Sequence, residues 1–259
     1  TDTMQTETLR SMLGLFFPDR CTACDVPLFA ENSKSATGRG GRDAFDRTWC
    51  ADCWNKLDLA GRQQCKKCAA EIRAENPLGG GCPLCRNAKL KFDAAVCLGN
   101  YADLLRDLVI AMKNQQLDRV AIQLGSLVAN KVRAMEFCDD LDLVLPVPTH
   151  WRRRLGRGFC AAEVLAEKIA SDCDVEFSKH HLKCIRQVEK QGRLSIAKRA
   201  KNILNAFEVA PKFDVTGKSI LLVDDVMTSG STVSELAKRL KKAGAESVFV
   251  AVVARGAGV

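Results

Sequence analysis

Residues 219–232, with the sequence SILLVDDVMTSGST, constrain the fold of this 259-residue chain more than any other stretch. They open with a short apolar run of the kind that forms a strand buried on both faces of a parallel sheet. Two carboxylates follow, then a hydroxyl-rich loop, and then an amphipathic run over residues 233–243. Because Thr232 and Glu235 have capping-box spacing, the pattern predicts a strand, a loop and a capped helix in that order.

The loop of this unit predicts a phosphate site. Backbone N–H groups at a helix N-terminus bind anions, and Gly230 lets the backbone approach closely. The chain contains neither G-x-x-x-x-G-K-[ST] nor G-x-G-x-x-G, which excludes a Walker loop and a dinucleotide fingerprint. Asp224 and Asp225 would repel a phosphate unless they hold sugar hydroxyls or Mg²⁺. The alternative is an ordinary turn that leads into a helix. The order of strand, acidic pair, loop and capped helix favours a binding site instead.

These residues resemble the binding signature of the type I phosphoribosyltransferases, which bind 5-phosphoribosyl-1-pyrophosphate (PRPP). The resemblance implies that Asp224 and Asp225 are the catalytic carboxylates and hold the ribose 2′ and 3′ hydroxyls. It implies that Mg²⁺ binds together with PRPP. It assigns PRPP binding, with the 5′-phosphate on the loop, to Met227, Thr228, Ser229, Gly230, Ser231 and Thr232.

Thirteen cysteines are too many for an intracellular protein unless most of them bind metal. Eight fall in four C-x-x-C pairs, and a C-x-x-C turn lets two thiolates grip one tetrahedral ion, so four pairs suit one or two Cys₄ zinc sites. Sequential pairing of the motifs is the simplest arrangement, and a cross-braced one stays open. Disulfides and redox chemistry are less favoured alternatives. The pairs are Cys21/Cys24, Cys50/Cys53, Cys65/Cys68 and Cys82/Cys85.

The composition changes near residue 92, where we expect a domain boundary. Residues 1–92 would form a Cys₄-type zinc-binding module of the double zinc ribbon kind, after a short helix over residues 1–20 and with a mobile loop over residues 31–43. Residues 93–259 predict an α/β domain with a mostly parallel sheet flanked by helices. Strands are expected at 94–98, 142–148 and 247–254, and helices at 101–113 and 117–136. The single cysteines, namely Cys97, Cys138, Cys160, Cys173 and Cys184, are expected to be buried and inert.

Arginines cluster after the strand at 142–148, at the edge where open α/β sheets bind ligands. One or two of them are expected to bind pyrophosphate or an acidic acceptor, with Arg152 and Arg157 as the candidates beside Arg153 and Arg154. Residues 187–201 are polar and resemble the flexible hood of type I enzymes, with a solvated linker as the alternative. Trp49 and Trp54 flank a cysteine pair and are expected to cover a zinc knuckle, with base stacking as the alternative.

The whole pattern resembles the ComF family of phosphoribosyltransferase-like proteins. The matching pieces are Tyr101/Lys113, the PVP of residues 146–148, the RGF of residues 157–159, Gln191/Arg199/Asn202 and residues 219–232. The resemblance implies that Lys113 contributes to PRPP binding. It implies phosphoribosyl transfer linked to DNA uptake and natural transformation. The alternative is a non-catalytic module that binds single-stranded DNA or a competence helicase or DNA-processing protein. This chain has Cys160-Ala161 where the family reads Asn-Gln, which weakens what the family implies about the acceptor.

The charge and hydropathy of the chain limit the kinds of partner that we expect. Residues 1–95 hold 14 Lys and Arg against 12 Asp and Glu, whereas residues 96–259 hold 25 against 19, so the basic character lies in the second part. That suits an anionic substrate and permits nucleic acid. No apolar run reaches 18 residues, and the apolar residues 9–17 include Arg10 and precede no cleavage site. We therefore expect a cytoplasmic protein without a membrane span or a signal peptide. No residue stands out as a general base. His150, His180 and His181 are candidates by their chemistry alone, and we expect them to be neutral surface side chains instead.

Overall fold

The structure is a computed structural model that describes residues 19–28, 48–57, 59, 63–72, 82–114, 118–149, 160–186 and 203–256. Its contacts divide the chain into two compact units, Thr1–Asp58 and Leu59–Val259. The predicted helix over residues 1–20, the loop 31–43, the arginine cluster and the hood fall wholly or largely outside the described residues. The boundary expected near residue 92 stays a prediction, and the division between the two units offers a second position for it.

The second unit contains a five-stranded sheet in which every pair of neighbouring strands is parallel. Its order is β1-β7-β6-β2-β3, so the strand that carries the acidic pair lies in the middle. The mostly parallel sheet predicted from the apolar runs is therefore confirmed. The strands are β1 (Ala94–Asn100), β2 (Leu143–Pro146), β3 (Glu176–Phe177), β6 (Ser219–Met227) and β7 (Ser247–Arg255).

Helices cover both faces of this sheet. Ile220 and Leu222 of β6 belong to a core cluster with Leu236 and Leu240 of the helix that follows β6. Alternate residues of a strand point to opposite faces, so Leu221 faces the other side, where two helices pack on each other and on the sheet. The helices of this unit are α2 (Asp103–Asn114), α3 (Asp118–Arg133), α4 (Ala161–Cys173) and α5 (Ser231–Lys242), and the first unit has α1 (Ala51–Leu57).

A small antiparallel pair, β4 (Leu182–Cys184) with β5 (Phe207–Val209), stands apart from the main sheet. The sequence did not indicate it, because each strand is only three residues long and the two are far apart along the chain. The β6, α5 and β7 elements form a βαβ unit, since β6 and β7 are parallel neighbours.

Candidate functional site

The acidic pair lies on β6 itself, at the point where one neighbouring strand ends. Pairing with β2 stops at Val223, whereas pairing with β7 continues through Asp224 to Met227. The strand is therefore longer than the apolar run predicted. Lys113, in the last turn of α2, places its Nζ 2.8 Å from Asp225 Oδ1, and both side chains are largely shielded from solvent. The structure thus brings together three of the predicted PRPP-site residues.

Asp224 carries a perturbed carboxyl group. Burial is the main cause and the nearby Asp225 carboxylate the second, and together they raise the pKa of Asp224 from its ordinary value of 3.8 to about 7. Lys113 and the backbone N–H of Asp225, which lies 2.8 Å from Asp224 Oδ1, act in the opposite direction. Near neutral pH this carboxyl group is therefore close to its titration point and responds to any charge that binds beside it.

The loop after the acidic pair forms a small cradle at the N-terminus of α5. The cradle encloses about 30 Å³ and is lined by Asp224 and by residues 226–233. Ser229 Oγ lies 2.7 Å from Ser231 Oγ, and Ser229 is 8% exposed. The predicted Met227 to Thr232 set therefore lines one concavity whose helix dipole and backbone N–H groups favour an anion.

The predicted capping box at Thr232 is wrong. Helix α5 begins at Ser231, and its N-cap is Gly230, which has a φ of 72° and makes no side-chain capping bond. Because glycine adopts this left-handed conformation without strain, the chain can turn into the helix two residues before the hydroxyl expected to cap it. A β-carbon at Gly230 would also lie 3.4 Å from Leu90 Cδ2.

Two residues at the end of β7 and just beyond it support the loop, and no sequence pattern indicated them. Arg255, the last residue of β7, donates from Nη1 to the carbonyl oxygens of Met227, at 2.7 Å, and of Thr228, and from Nε to that of Cys68, at 3.0 Å. A β-carbon on Gly256 would lie 2.8 Å from Thr228 Cγ2, so only glycine leaves Thr228 undisturbed. The available signal was an arginine closing an apolar strand at the ligand-binding edge of the sheet.

A larger groove begins at Pro146, the β2 residue paired with Val223, and runs toward the β4 and β5 pair. Its volume is about 910 Å³, and its lining includes Lys183, Lys212 and Phe213. It combines apolar surface with positive charge, so it suits a ligand that is partly apolar and anionic.

Of the two histidines that the structure describes, neither lines the cradle beside the acidic pair. His181 is buried, contrary to the expected surface position, and its Nδ1 lies 2.7 Å from Ser178 Oγ. Its ring centroid lies 4.1 Å from that of Phe213, with the two rings tilted by 32°. Burial lowers the pKa of His181, which keeps the ring neutral as expected. His180 is exposed, and His150 lies outside the described residues.

The eight motif cysteines form two separate groups. The first cysteine group is Cys21, Cys24, Cys50 and Cys53, the second is Cys65, Cys68, Cys82 and Cys85, and within each group the Sγ atoms lie within 4.8 Å of one another. The motifs are therefore paired sequentially. The Sγ distances of 3.7 Å for Cys68 to Cys82 and 3.8 Å for Cys65 to Cys85 match the roughly 3.8 Å edge of a tetrahedron with Zn–S bonds of about 2.3 Å.

The first C-x-x-C motif of each group adopts the same turn. Asp25 and Ala69, one residue beyond each motif, both have left-handed φ, of 60° and 55°. Their N–H groups donate to the carbonyl oxygens of Cys21, at 2.9 Å, and Cys65, at 2.8 Å. Both groups can therefore hold a tetrahedral metal ion in an equivalent knuckle.

Hydrogen bonding prepares one cysteine of each group to ionise. Burial alone raises the pKa values of Cys21 and Cys65, but N–H groups from Cys50 and Cys24, and from Cys68 and Cys82, outweigh it and lower each pKa to about 7. Burial raises the pKa values of Cys53 and Cys68. The groups therefore retain protons until a metal ion displaces them.

Trp49 lies beside the first cysteine group and is 4% exposed. Its indole nitrogen is buried without a hydrogen-bond partner among the described residues. A ring buried to this extent cannot stack on a base, so the base-stacking alternative is excluded for Trp49. Trp54 is half-buried.

Comparison with known proteins agrees with this geometry. Residues 155–258 match the family model of the phosphoribosyl transferase domain. Competence protein F of Haemophilus influenzae is 27% identical over an alignment that covers 80% of this chain and 96% of that protein. These similarities agree with the resemblance to the ComF family. The DNA utilization protein YhgH of Escherichia coli is also 27% identical, over 78% of this chain and 94% of its own.

A more distant similarity involves an amidophosphoribosyltransferase. The amidophosphoribosyltransferase of Pseudomonas aeruginosa is 26% identical over 60% of this chain, but the alignment covers only 28% of that protein. This chain itself has the phosphoribosyltransferase-type fold, a parallel sheet flanked by helices, together with cysteine-rich segments.

Cys160, where this chain departs from the sequence pattern of the family it resembles, lies near the acidic pair. Its Sγ is 3.7 Å from Thr149 Oγ1, at the rim of the groove. Burial is the main cause that raises the pKa of Cys160, and the Asp224 carboxylate adds to it, so the thiol stays protonated at neutral pH.

None of the helices in the described part of the chain has the length and apolar character that a membrane-spanning helix needs.

Proposed function

We propose that this protein binds PRPP together with Mg²⁺ and transfers the 5-phosphoribosyl group to an acceptor, releasing pyrophosphate. The observation that carries the proposal is the placement of an acidic pair, a lysine and an anion cradle at one edge of a parallel sheet. Asp224 and Asp225 precede the cradle on β6, and Lys113 reaches Asp225 from α2. The carboxyl ends of parallel strands are where open α/β sheets bind ligands.

Each part of this edge has a role that its chemistry suits. Asp224 and Asp225 would accept hydrogen bonds from the ribose 2′ and 3′ hydroxyls. Met227 to Thr232 would hold the 5′-phosphate through N–H groups and hydroxyls. Lys113, Arg152 and Arg157 would bind the pyrophosphate oxygens. Mg²⁺, when bound, would neutralise charge on the leaving pyrophosphate.

Catalysis in this proposal is positional and electrostatic. The bond between ribose C1 and pyrophosphate breaks, the acceptor's nucleophilic atom bonds to C1, and pyrophosphate leaves with the bonding electron pair. Positive charge develops on the ribose as this happens. The carboxylates of Asp224 and Asp225 would stabilise that charge with little reorganisation.

Calorimetric titration of zinc-replete protein with PRPP, with and without Mg²⁺, tests the proposal. We expect wild-type protein to bind and Asp224→Asn/Asp225→Asn to lose binding, because the variant cannot hold Mg²⁺ or the ribose. Asp139→Asn/Asp140→Asn is the matched control, since it removes the same charge from two exposed aspartates that also follow one another in the sequence. Absence of binding by folded wild-type protein would refute the proposal.

We also propose that each cysteine group holds one structural Zn²⁺. The support is the tetrahedral spacing of the thiols and the absence of bridging disulfides, since all eight cysteines are free. Elemental analysis should give two zinc ions per chain. Cys21→Ser/Cys24→Ser and Cys82→Ser/Cys85→Ser should each retain one, and a single ion in wild-type protein would contradict the assignment.

A second candidate function is DNA or partner binding without catalysis. The names of the relatives, competence protein F and DNA utilization protein, favour a role in DNA uptake, as does the net charge of +6 on residues 96–259. Binding to labelled single-stranded DNA that weakens steeply with salt, and is lost in Arg152→Gln/Arg157→Gln, would support it. A competence helicase or DNA-processing protein would then be the partner to seek.

A further inference from the structure

Arg255 is a buried cation that connects two sites. It closes β7, where its register partners are Met227 of β6 and Asn100 of β1, and it is 4% exposed. One end of its guanidinium holds the start of the phosphate cradle through the carbonyl oxygens of Met227 and Thr228. Its Nε holds the carbonyl oxygen of Cys68, a member of the second cysteine group.

The hydrogen bonds of Arg255 supply partial charges but no full countercharge. Among the described residues, its acceptors are the backbone carbonyls of Cys68, Met227, Thr228 and Gly256, and no carboxylate pairs with it. A buried charge is costly unless an opposite charge lies nearby. The cysteine set fits a tetrahedral zinc ion, as shown above, and four thiolates around Zn²⁺ carry a net charge of about −2.

Other contacts bind the second cysteine group to the same sheet. The N–H of Ala95 donates to the carbonyl oxygen of Lys66 at 3.0 Å. Cys97 Sγ lies 3.3 Å from the carbonyl oxygen of Ala69. Ala69 itself belongs to the main core cluster. A change in this cysteine group therefore has a short physical route, through the Cys68 carbonyl and Arg255, to Met227 and Thr228.

We propose that Arg255 is a positioning residue that couples metal binding at the second cysteine group to ligand binding in the phosphate cradle. The proposal rests on the proposed PRPP function. With zinc bound, the charge of Arg255 is balanced, and its guanidinium group fixes the carbonyl groups of Met227 and Thr228. The N–H groups of the loop therefore keep their orientation. Without zinc, Arg255 loses both its countercharge and a rigid acceptor, and the cradle loosens. Zinc and PRPP then bind cooperatively, each raising the affinity for the other by the same factor.

The first test measures PRPP affinity in full-length variants. Arg255→Gln and Cys82→Ser/Cys85→Ser should each weaken PRPP binding about tenfold or more, which corresponds to the loss of a charged hydrogen bond. Arg255→Lys should recover only part of the affinity, because a lysine cannot form the fork. Cys21→Ser/Cys24→Ser, which empties the first group, and Arg106→Gln, at an exposed arginine bound to Asp107, should bind as wild type does. Equal affinity in Arg255→Gln and wild type would overturn the proposal.

The second test needs no substitution at Arg255 and so does not depend on that variant folding. In the Cys21→Ser/Cys24→Ser background the remaining zinc belongs to the second group, and its affinity is measured by competition with a chelator. Mg²⁺ and PRPP should tighten zinc binding by the factor found for PRPP in the first test. Zinc affinity that PRPP leaves unchanged would contradict the coupling.

The third test separates this inference from the proposed function. Should wild-type protein fail to bind PRPP, amide hydrogen exchange of residues 227–232 still reports on the cradle. Removing zinc from the second group should speed that exchange in the wild type, and should have no further effect in Arg255→Gln. Exchange that is indifferent to zinc in the wild type would overturn the inference on its own.

Discussion

At the scale of single residues, the Asp224 carboxyl group links the charge of the candidate site to the stability of the fold. The pKa of this group is raised from 3.8 to about 7 in the folded protein, chiefly by burial. The folded state therefore binds the proton more tightly than the unfolded state does. Ionisation of Asp224 costs stability, and this cost is absent below about pH 4, grows as the pH rises toward 7 and is complete above it.

Asp224→Asn should consequently stabilise the ligand-free protein at alkaline pH. We expect a gain on the order of 1–2 kcal/mol near pH 8 and no gain near pH 4, because the variant never carries the buried charge. Thermal unfolding at the two pH values measures it. Asp139→Asn is the control and should show no such dependence, and a gain of equal size at both pH values would show that Asp224 is not the titrating group.

Gly256 sets the position of Thr228, so Gly256→Ala should weaken PRPP binding with little loss of stability. The added β-carbon would lie 2.8 Å from Thr228 Cγ2, and the strain of about 1 kcal/mol or more would move the cradle. Gly99→Ala is the matched control at the end of the neighbouring strand. Its β-carbon would meet Leu105 Cδ2 at an ordinary 3.6 Å. Calorimetry that finds the two variants alike would contradict this role for Gly256.

Single residues also show why the sequence predicted part of the site and not the rest. The acidic pair and the loop are contiguous, and the cysteines have motif spacing, so local patterns were enough to find them. Arg255 is 187 positions from Cys68, and only the order of the strands brings the two together. No local pattern contains that information.

At the scale of helices and strands, the apolar runs predicted which elements exist but not where each one ends. Strand β6 continues to Met227 because β7 goes on pairing with it after β2 has stopped. Helix α2 begins at Asp103 and α3 at Asp118, each within two residues of the expected position. The ends of strands and helices depend on neighbouring strands and on the geometry of helix caps. The periodicity of apolar residues along the sequence does not encode either of these.

Helix α4 ends in an unfavourable way that a substitution can relieve. Its C-cap, Asp174, has a φ of 55°, and its carboxylate lies at the negative end of the helix dipole. Asp174→Gly should stabilise the protein by about 0.5–1 kcal/mol, because glycine adopts this conformation without strain. Asp172→Gly, within the helix and bound to Lys168 at 2.6 Å, should destabilise it instead. Chemical denaturation compares the two, and a loss of stability in Asp174→Gly would count against the interpretation.

At the scale of the whole molecule, the two cysteine groups belong to different compact units. The first group lies in Thr1–Asp58, while the second lies in Leu59–Val259 with the sheet. The prediction of one module for all four motifs rests on their similarity and on their closeness along the chain, and it stays a prediction. Motif similarity does not reveal which core a motif joins, and Ala69 joins the core of the sheet.

This arrangement predicts how fragments of the chain behave. A fragment of residues 59–259 should unfold at a higher temperature than one of residues 93–259. The shorter fragment loses three hydrogen bonds. Ala95 donates the first to Lys66, Arg255 the second to Cys68, and Asn100 the third to Glu71 at 2.6 Å. Thermal unfolding of both zinc-treated fragments is the measurement. Equal stability would place the boundary near residue 92, as the composition suggested.

The acceptors of Arg255 also bear on how the family can vary. Because Arg255 binds main-chain carbonyls, a change of side chain at Met227 or Thr228 leaves its bonds intact, and no change there can replace it. Its bond to Cys68 is also to a carbonyl oxygen, so what ties Arg255 to the second cysteine group is the countercharge that the loaded group supplies in the proposed coupling. Arg255 should evolve in step with that charge rather than with the side chains of the loop it supports. Homologues that have discarded Cys65, Cys68, Cys82 and Cys85 should be free to discard this arginine too, even where the acidic pair and the hydroxyl-rich loop persist.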